Sequence, residues 1–342
     1  MDSTILLILV QDGVVNGAIY ALLALSLVLV FATTRVIFIP QGEFVAYGAL
    51  TYATLDQGQL PGSVWLLCAL GVAAFVAGVW RGRARGGVLG LGLRTLVLPG
   101  VVTIAAVLLA PRRPGVAMEA VLALAIVTPM APYIYRIGFQ PLAETSVLVL
   151  LIGAVGAHLA LTGIGLLLFG PEGSRASGFS DASLSFGDVV VQGQAIWIVG
   201  LALLVMLGLY GLFGHTLVGR ALRATAVNRL GARLVGIPTE QAGVIAFALA
   251  GFIGAASGIL IAPLTTIYYD SGFLIGLKGF TAAIIAGLAS YPGAVLAALL
   301  VGVVESFASF WASAFKEVIV FAVIIPVLLW RSWRAPAGED EE

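Results

Sequence analysis

Three charged side chains and one histidine stand inside or against long apolar runs of this sequence: Glu43, His158, Lys278 and Glu305. Placing a charge at mid-membrane costs about 2.5–3.5 kcal/mol on insertion scales, so such groups are paired, held at a helix end or set along a polar path. Lys278 and Glu305 lie on neighbouring segments and can pair as a brace. Glu43 follows Gly42 at the start of a short apolar run. That reads as a position at the cytoplasmic mouth, either lining or gating a path or stabilised by the positive end of a helix. His158 sits near Gly153, Gly156 and Gly163 and reads as a hydrogen-bonded packing group rather than a proton relay. Asp12 and Asn16, one turn apart, read as interfacial or capping side chains.

Other chemistries fail on residue type. The only lysines, Lys278 and Lys316, follow Leu277 and Phe315, whereas a nucleotide-binding P-loop needs glycine before its lysine. The chain therefore has no Walker-type site for ATP hydrolysis. Cys68 is the single cysteine, so an intrachain disulfide is impossible. No cluster of His, Asp, Glu or Cys has metal-ligand spacing and no Ser/His/Asp set is evident, so no metal, catalytic residue or bound cofactor is expected. Seventeen basic residues balance 17 acidic ones, which gives no reason to expect nucleic acid as a partner.

The elements that carry these groups are membrane helices. Of 342 residues, 61% are apolar and 10% charged, and the mean hydropathy is +1.10, against about a quarter charged in a soluble domain. Crossing the hydrocarbon takes roughly 20 apolar residues as helix. On that ruler spans are predicted at 13–32, 63–80, 95–110, 117–135, 145–169, 194–214, 242–262, 293–311 and 317–330, with two short runs at 42–55 and 276–289. The fold class is thus all-α, a polytopic membrane bundle of about 9–11 spans in one domain over 1–335, followed by an acidic tail at 336–342. Alternation puts Arg35, Arg81, Arg83, Arg85, Arg94, Arg136, Arg220, Arg223, Arg229, Arg233, Arg331 and Arg334 on one side. Arg112, Arg113, Arg175, Lys278 and Lys316 fall on the other. Cationic loops stay in the cytoplasm, so the N-terminus is expected outside and the C-terminus inside. The pairs 13–31 with 42–55 and 243–261 with 276–289 face opposite ways, as in an inverted repeat whose short helices line a substrate path.

One connection, 216–240, is longer than a turn and carries Arg220, Arg223, Arg229 and Arg233. Ala226, Val227, Leu230 and Leu234 recur at helical spacing, which predicts one amphipathic helix over 221–235 stopped by Gly236 and Pro238. Such a helix can lie on anionic lipid or dock into a groove of a cytoplasmic protein.

This stretch resembles the coupling loop of permeases of the branched-chain amino acid type of ABC importer, with Arg223, Asn228, Ala232 and the closing Gly236-Ile237 in the family's pattern. Two further blocks resemble the same family in the same order. Gly13, Asn16, Gly17, Tyr20, Ala21 and Leu22, then Phe31 and Gln41-Gly42-Glu43, match its opening helix and its Asn-Phe-Ala-His-Gly-Glu element. Gly276, Lys278, Phe280, Ala282, Gly287, Pro292, Gly302 and Glu305 match its C-terminal block. Phe38, Pro40 and Gln41 depart from the family, which usually has Asn, Ala and His there. Residues 88–132 have no recognisable counterpart and read as an inserted apolar hairpin.

The resemblance implies a bacterial inner-membrane permease subunit that carries branched-chain or related amino acids. It implies four kinds of partner: a second permease, two cytoplasmic ATPase subunits that use the ATP, a periplasmic binding protein, and the lipid bilayer. It assigns ATPase coupling to Arg223, Ala226, Asn228, Leu230, Ala232 and Gly236, and the translocation path or its gating to Tyr20, Gln41, Gly42, Glu43, Lys278 and Glu305. The rival reading is a secondary transporter in which Glu43, Lys278 and Glu305 couple an ion.

Overall fold

A chain crossing hydrocarbon must satisfy its backbone internally, and here it does so as helix. The computed structural model describes residues 3–82, 87–180, 182–186, 189–288 and 290–334; the charges Arg83 and Arg85 and the tail 336–342 lie outside them. The helices are α1 (Ser3–Thr34), α2 (Gln41–Asp56), α3 (Ser63–Trp80), α4 (Gly87–Leu109), α5 (Val116–Val127) and α6 (Met130–Ile134), the last running into a π-turn at Tyr135–Phe139. Then come α7 (Val147–Phe169), α8 (Gly193–His215), α9 (Leu217–Val227), α10 (Arg229–Leu234), α11 (Thr239–Ile261), α12 (Ser271–Ile285), α13 (Tyr291–Trp311), α14 (Lys316–Ala322) and α15 (Ile324–Arg334). Among the described residues nine helical stretches are long and apolar enough to cross a membrane. The chain is a multi-pass membrane protein. Among the described residues the two strands form an antiparallel hairpin in the 170–193 loop, β1 (Ser183–Phe186) and β2 (Val189–Gln192), with Ser183 opposite Gln192.

The two faces of the bundle are told apart by their loops. Asp56 accepts from the backbone N–H and hydroxyl of Ser177, and Arg113 donates to the carbonyl of Gln57, which brings 56–62, 111–115 and 170–193 together. On the opposite face Arg81 donates to the carbonyls of Arg136 and Ile137, Gln140 to Glu240, and Arg233 to Glu144. These groupings are the ones that alternation requires, and the second, arginine-rich face is called inner below.

The short helices are half-spans. Gln41 Nε2 donates over 3.0 Å to the carbonyl of Ala250, halfway along α11, while the far end of α2 is held by Ser177 at the outer face. Helix α12 starts beside the start of α2, where Gly42 faces Gly272 and Gly276 with no side chain between. It then runs inward until Ala286 lies against Gly293 at the head of α13, whose Tyr291 packs at a tilt on Phe213 at the inner end of α8. Helix α12 begins at Ser271 rather than near 276, so Lys278 lies two turns inside it instead of opening it. The packing of the two pairs is reciprocal: α2 against α11, α12 against α1, and α2 across α12.

The region 88–132 forms α4, α5 and the start of α6. Only α4 is peripheral; Ile126, Val127, Met130 and Ala131 are buried, and Ala131 and Thr128 pack on Gly251 of α11. Its apolar composition gave no sign of which face would be covered, since lipid and protein core are both apolar.

Candidate functional site

Three places in the bundle gather the predicted residues. The first is the junction of α2 and α12. Residues 35–40 leave α1 through Arg35, whose φ of 62° turns the chain back, and Phe38 drops into a ring cluster with Phe44, Phe139 and Phe247 at 4.7–5.9 Å between centroids. The apolar Phe38 that departs from the family pattern is thus the anchor of this re-entrant turn. Gln41 and Glu43 are each 1% exposed. Glu43 Oε1 lies 2.9 Å from His158 Nδ1, and His158, halfway along α7, stacks on Phe273 of α12. Glu43 is therefore at mid-height and not at the cytoplasmic mouth: the chain climbs back through 35–40 before α2 begins. A pocket of about 120 Å³, lined by Phe38, Gln41, Phe273, Leu277 and Phe280, adjoins the junction.

Tyr20, Lys278 and Glu305 form a separate group. Lys278 Nζ is 2.5 Å from Glu305 Oε1 and 3.2 Å from Glu317 Oε1, and the Tyr20 hydroxyl donates to Glu305 Oε2 over 2.5 Å. The expected Lys278–Glu305 brace is present and ties α1, α12, α13 and α14 together. The six residues assigned to the path thus fall into two clusters, Gln41-Gly42-Glu43 and Tyr20-Lys278-Glu305. Sequence reasoning missed Glu317, whose position beside Lys316 at the head of the last apolar run was the available signal. It also missed the pairing of Glu43 with His158, which no local pattern announces.

The third place is the inner connection between α8 and α11. The single helix expected over 221–235 is two helices broken at Asn228, which is extended at φ −149° and whose Oδ1 accepts from the Gly231 N–H at 2.8 Å. Asparagine is a preferred N-cap, and here the cap outweighs continued periodicity. Thr216 caps α9 in the same way, and Leu222 buries α9 against Leu29, Ala242 and Ala246. Helix α10 is held by Arg229, which donates to the Ala143 carbonyl, and by Arg233, which reaches both Glu144 and Thr239. Ala232 is only 4% exposed and Ala226 half-buried, so Ala232 is not a contact surface for a partner. What the loop presents is Val227, Leu230 and Leu234, at 86, 68 and 80% exposure, with Arg223, Asn228 and Gly236 exposed around them.

A family model described as "Branched-chain amino acid transport system / permease component" matches residues 83–328, and so includes the region 88–132. The high-affinity branched-chain amino acid transport system permease protein BraD of Pseudomonas aeruginosa is 32% identical over 205 residues, 58% of this chain and 67% of that protein. LivH of Salmonella typhimurium, named as the permease of the same kind of system, is 33% identical over 208 residues, 57% of this chain and 66% of its own length. The probable branched-chain amino acid transport permease LivH of Methanocaldococcus jannaschii is 28% identical over 190 residues, covering 55% and 58%. The matched segments thus span about two thirds or less of the length of these relatives.

Proposed function

The chain belongs to the family of branched-chain amino acid transport permease components, and from that membership we propose that it is the membrane-spanning subunit of an ATP-binding cassette importer for branched-chain or related amino acids. A periplasmic binding protein delivers the solute to the outer face. A second permease completes the path, and two ATPase subunits dock on the inner face and supply the hydrolysis that this chain lacks. The membrane is the inner membrane, with the arginine-rich face in the cytoplasm, the N-terminus outside and the C-terminus inside.

The observation that carries this reading is the inner-face helix pair α9–α10. It is anchored by Leu222 and two arginines, yet it holds Val227, Leu230 and Leu234 out into solvent. An apolar stripe on a braced helix suits a groove in a partner protein. The path follows the α2–α12 junction, where Gly42 meets Gly272 and Gly276 and Glu43 meets the His158 ring that stacks on Phe273. Tyr20, Lys278 and Glu305 hold the surrounding helices. Ion coupling finds no support, because Lys278 is engaged by Glu305 and Glu317 together.

Introducing glutamate at both Val227 and Leu230 tests the docking. These side chains are exposed, so the chain should fold and insert as before. Loss of two central apolar contacts weakens association by about 2 kcal/mol or more. The ATPase subunits should fail to co-purify and uptake into proteoliposomes should fall to background. Undiminished co-purification and uptake would overturn the assignment.

A further inference from the structure

Between the inner helix pair and the mid-height junction lies one irregular element, the π-turn Tyr135–Phe139. A π-turn holds one residue more than an α-turn, is rare, and recurs at functional sites. Its two states differ by a one-residue slip, about 1.5 Å of rise and roughly 100° of rotation for everything beyond it. Two carbonyls of this turn, those of Arg136 and Ile137, are held by the Arg81 guanidinium at 2.9 and 3.1 Å.

Both sides of the turn are gripped. Just beyond it, Gln140 donates to Glu240, the Ala143 carbonyl accepts from Arg229 and Glu144 pairs with Arg233 at 2.9 Å, so α10 and the start of α11 together hold 140–144. Within it, Tyr135 and Phe139 lie on Phe247 at 4.7 and 5.6 Å, and Phe247 and Phe139 both touch Phe38, three residues before Gln41. Beside it is a cavity of about 260 Å³, lined by Gly78, Arg81, Thr95, Arg136, Gln140 and Glu240, which gives the turn space to move. A packed core transmits displacement only where it has two arrangements available.

We propose that the π-turn Tyr135–Phe139 is the relay through which movement of α9–α10 reaches the α2–α12 junction, with Arg229 and Arg233 as positioning residues that grip it from the inner face. The proposal rests on the reading of the chain as an ATP-driven permease. Displacement of α10 pulls 143–144 through the two arginines. The turn slips toward the cavity, and the ring cluster carries the shift to Phe38 and the start of α2.

The test uses the complete transporter in liposomes. With Cys68→Ser no thiol remains in this chain, and Gln140→Cys with Glu240→Cys can then be bridged within it by a cleavable thiol cross-linker to immobilise the turn, the same treatment of the Cys68→Ser transporter serving as control. Bridging should lower uptake about tenfold, within the usual range of coupling energies, while ATP hydrolysis and subunit association continue; cleavage should restore uptake. A second arm reverses the Arg233–Glu144 pair. Because Glu144 is 78% and Arg233 42% exposed, the pair contributes little to folding, about 0–1 kcal/mol. Arg233→Glu and Glu144→Arg should each lower uptake per ATP, and the double variant should regain it. Uptake indifferent to the bridge, or a double variant no better than the singles, sinks the relay alone. If the unmodified chain retains no ATPase subunit, the importer reading itself falls and the relay with it.

Discussion

Replacing Lys278 by methionine should cost about 3–5 kcal/mol of stability, the penalty for breaking a buried ion pair by removing one partner. The ammonium lies between Glu305 and Glu317 at 2.5 and 3.2 Å, and Lys278 and Glu305 are both 6% exposed. Without it two carboxylates face each other in an apolar interior, with the Tyr20 hydroxyl as the remaining donor to Glu305. The group lies where α1, α12, α13 and α14 meet, so these helices must part or take in water to relieve the repulsion. Changing Glu305 to glutamine in the same chain removes the repulsion, leaving Glu317 beside Lys316, and keeps an acceptor for Tyr20. The double variant should therefore recover most of the loss. Thermal unfolding in detergent reads both, and a double variant as unstable as the single would show that charge balance is not what Lys278 provides.

Gly42→Ala should be equally damaging for a steric reason. A Cβ at Gly42 would overlap the carbonyl of Gly272 and press on the Cα of Gly276 at 3.0 Å, and all of these are backbone atoms that no rotamer change can move. Overpacking costs about 1–3 kcal/mol where side chains can adjust, and more here because α2 and α12 must separate bodily. Gly272→Ala adds the reciprocal clash against the carbonyl of Gly42. The two substitutions break one contact and should not add. Gly156→Ala is the control, since nothing lies near its position on α7. Uptake should vanish in either junction variant and persist in the control. Normal uptake in Gly42→Ala would mean that the two helix starts need not touch for transport.

Much of this architecture was legible because membrane helices announce themselves through length and apolarity. Every predicted run falls on helix, although 117–135 is divided between α5 and α6 and 317–330 between α14 and α15, and the shortness of 42–55 and 276–289 already marked them as unusual. The Lys278–Glu305 pair was legible for a related reason, that opposite charges in apolar surroundings have few alternatives. The depth of Glu43 was not, because it depends on His158 and Ala250, more than a hundred residues away, and on a turn back through Phe38. In the inner loop the periodicity of Ala226, Leu230 and Leu234 pointed to one helix, yet the capping strength of Asn228 divided it and turned Ala232 inward. The burial of α5 likewise shows that an unfamiliar stretch of sequence can still form part of the core.

The meeting of α2 and α12 at mid-height divides the membrane's thickness between them. Helix α2 fills only the outer half and α12 only the inner half, with glycine contact where they abut. Tilting a full-length helix about its centre disturbs both faces at once, whereas two half-length plugs in series can be loosened one at a time. On the path proposed above, such an arrangement would work as an airlock, one door swinging while the other keeps the seal.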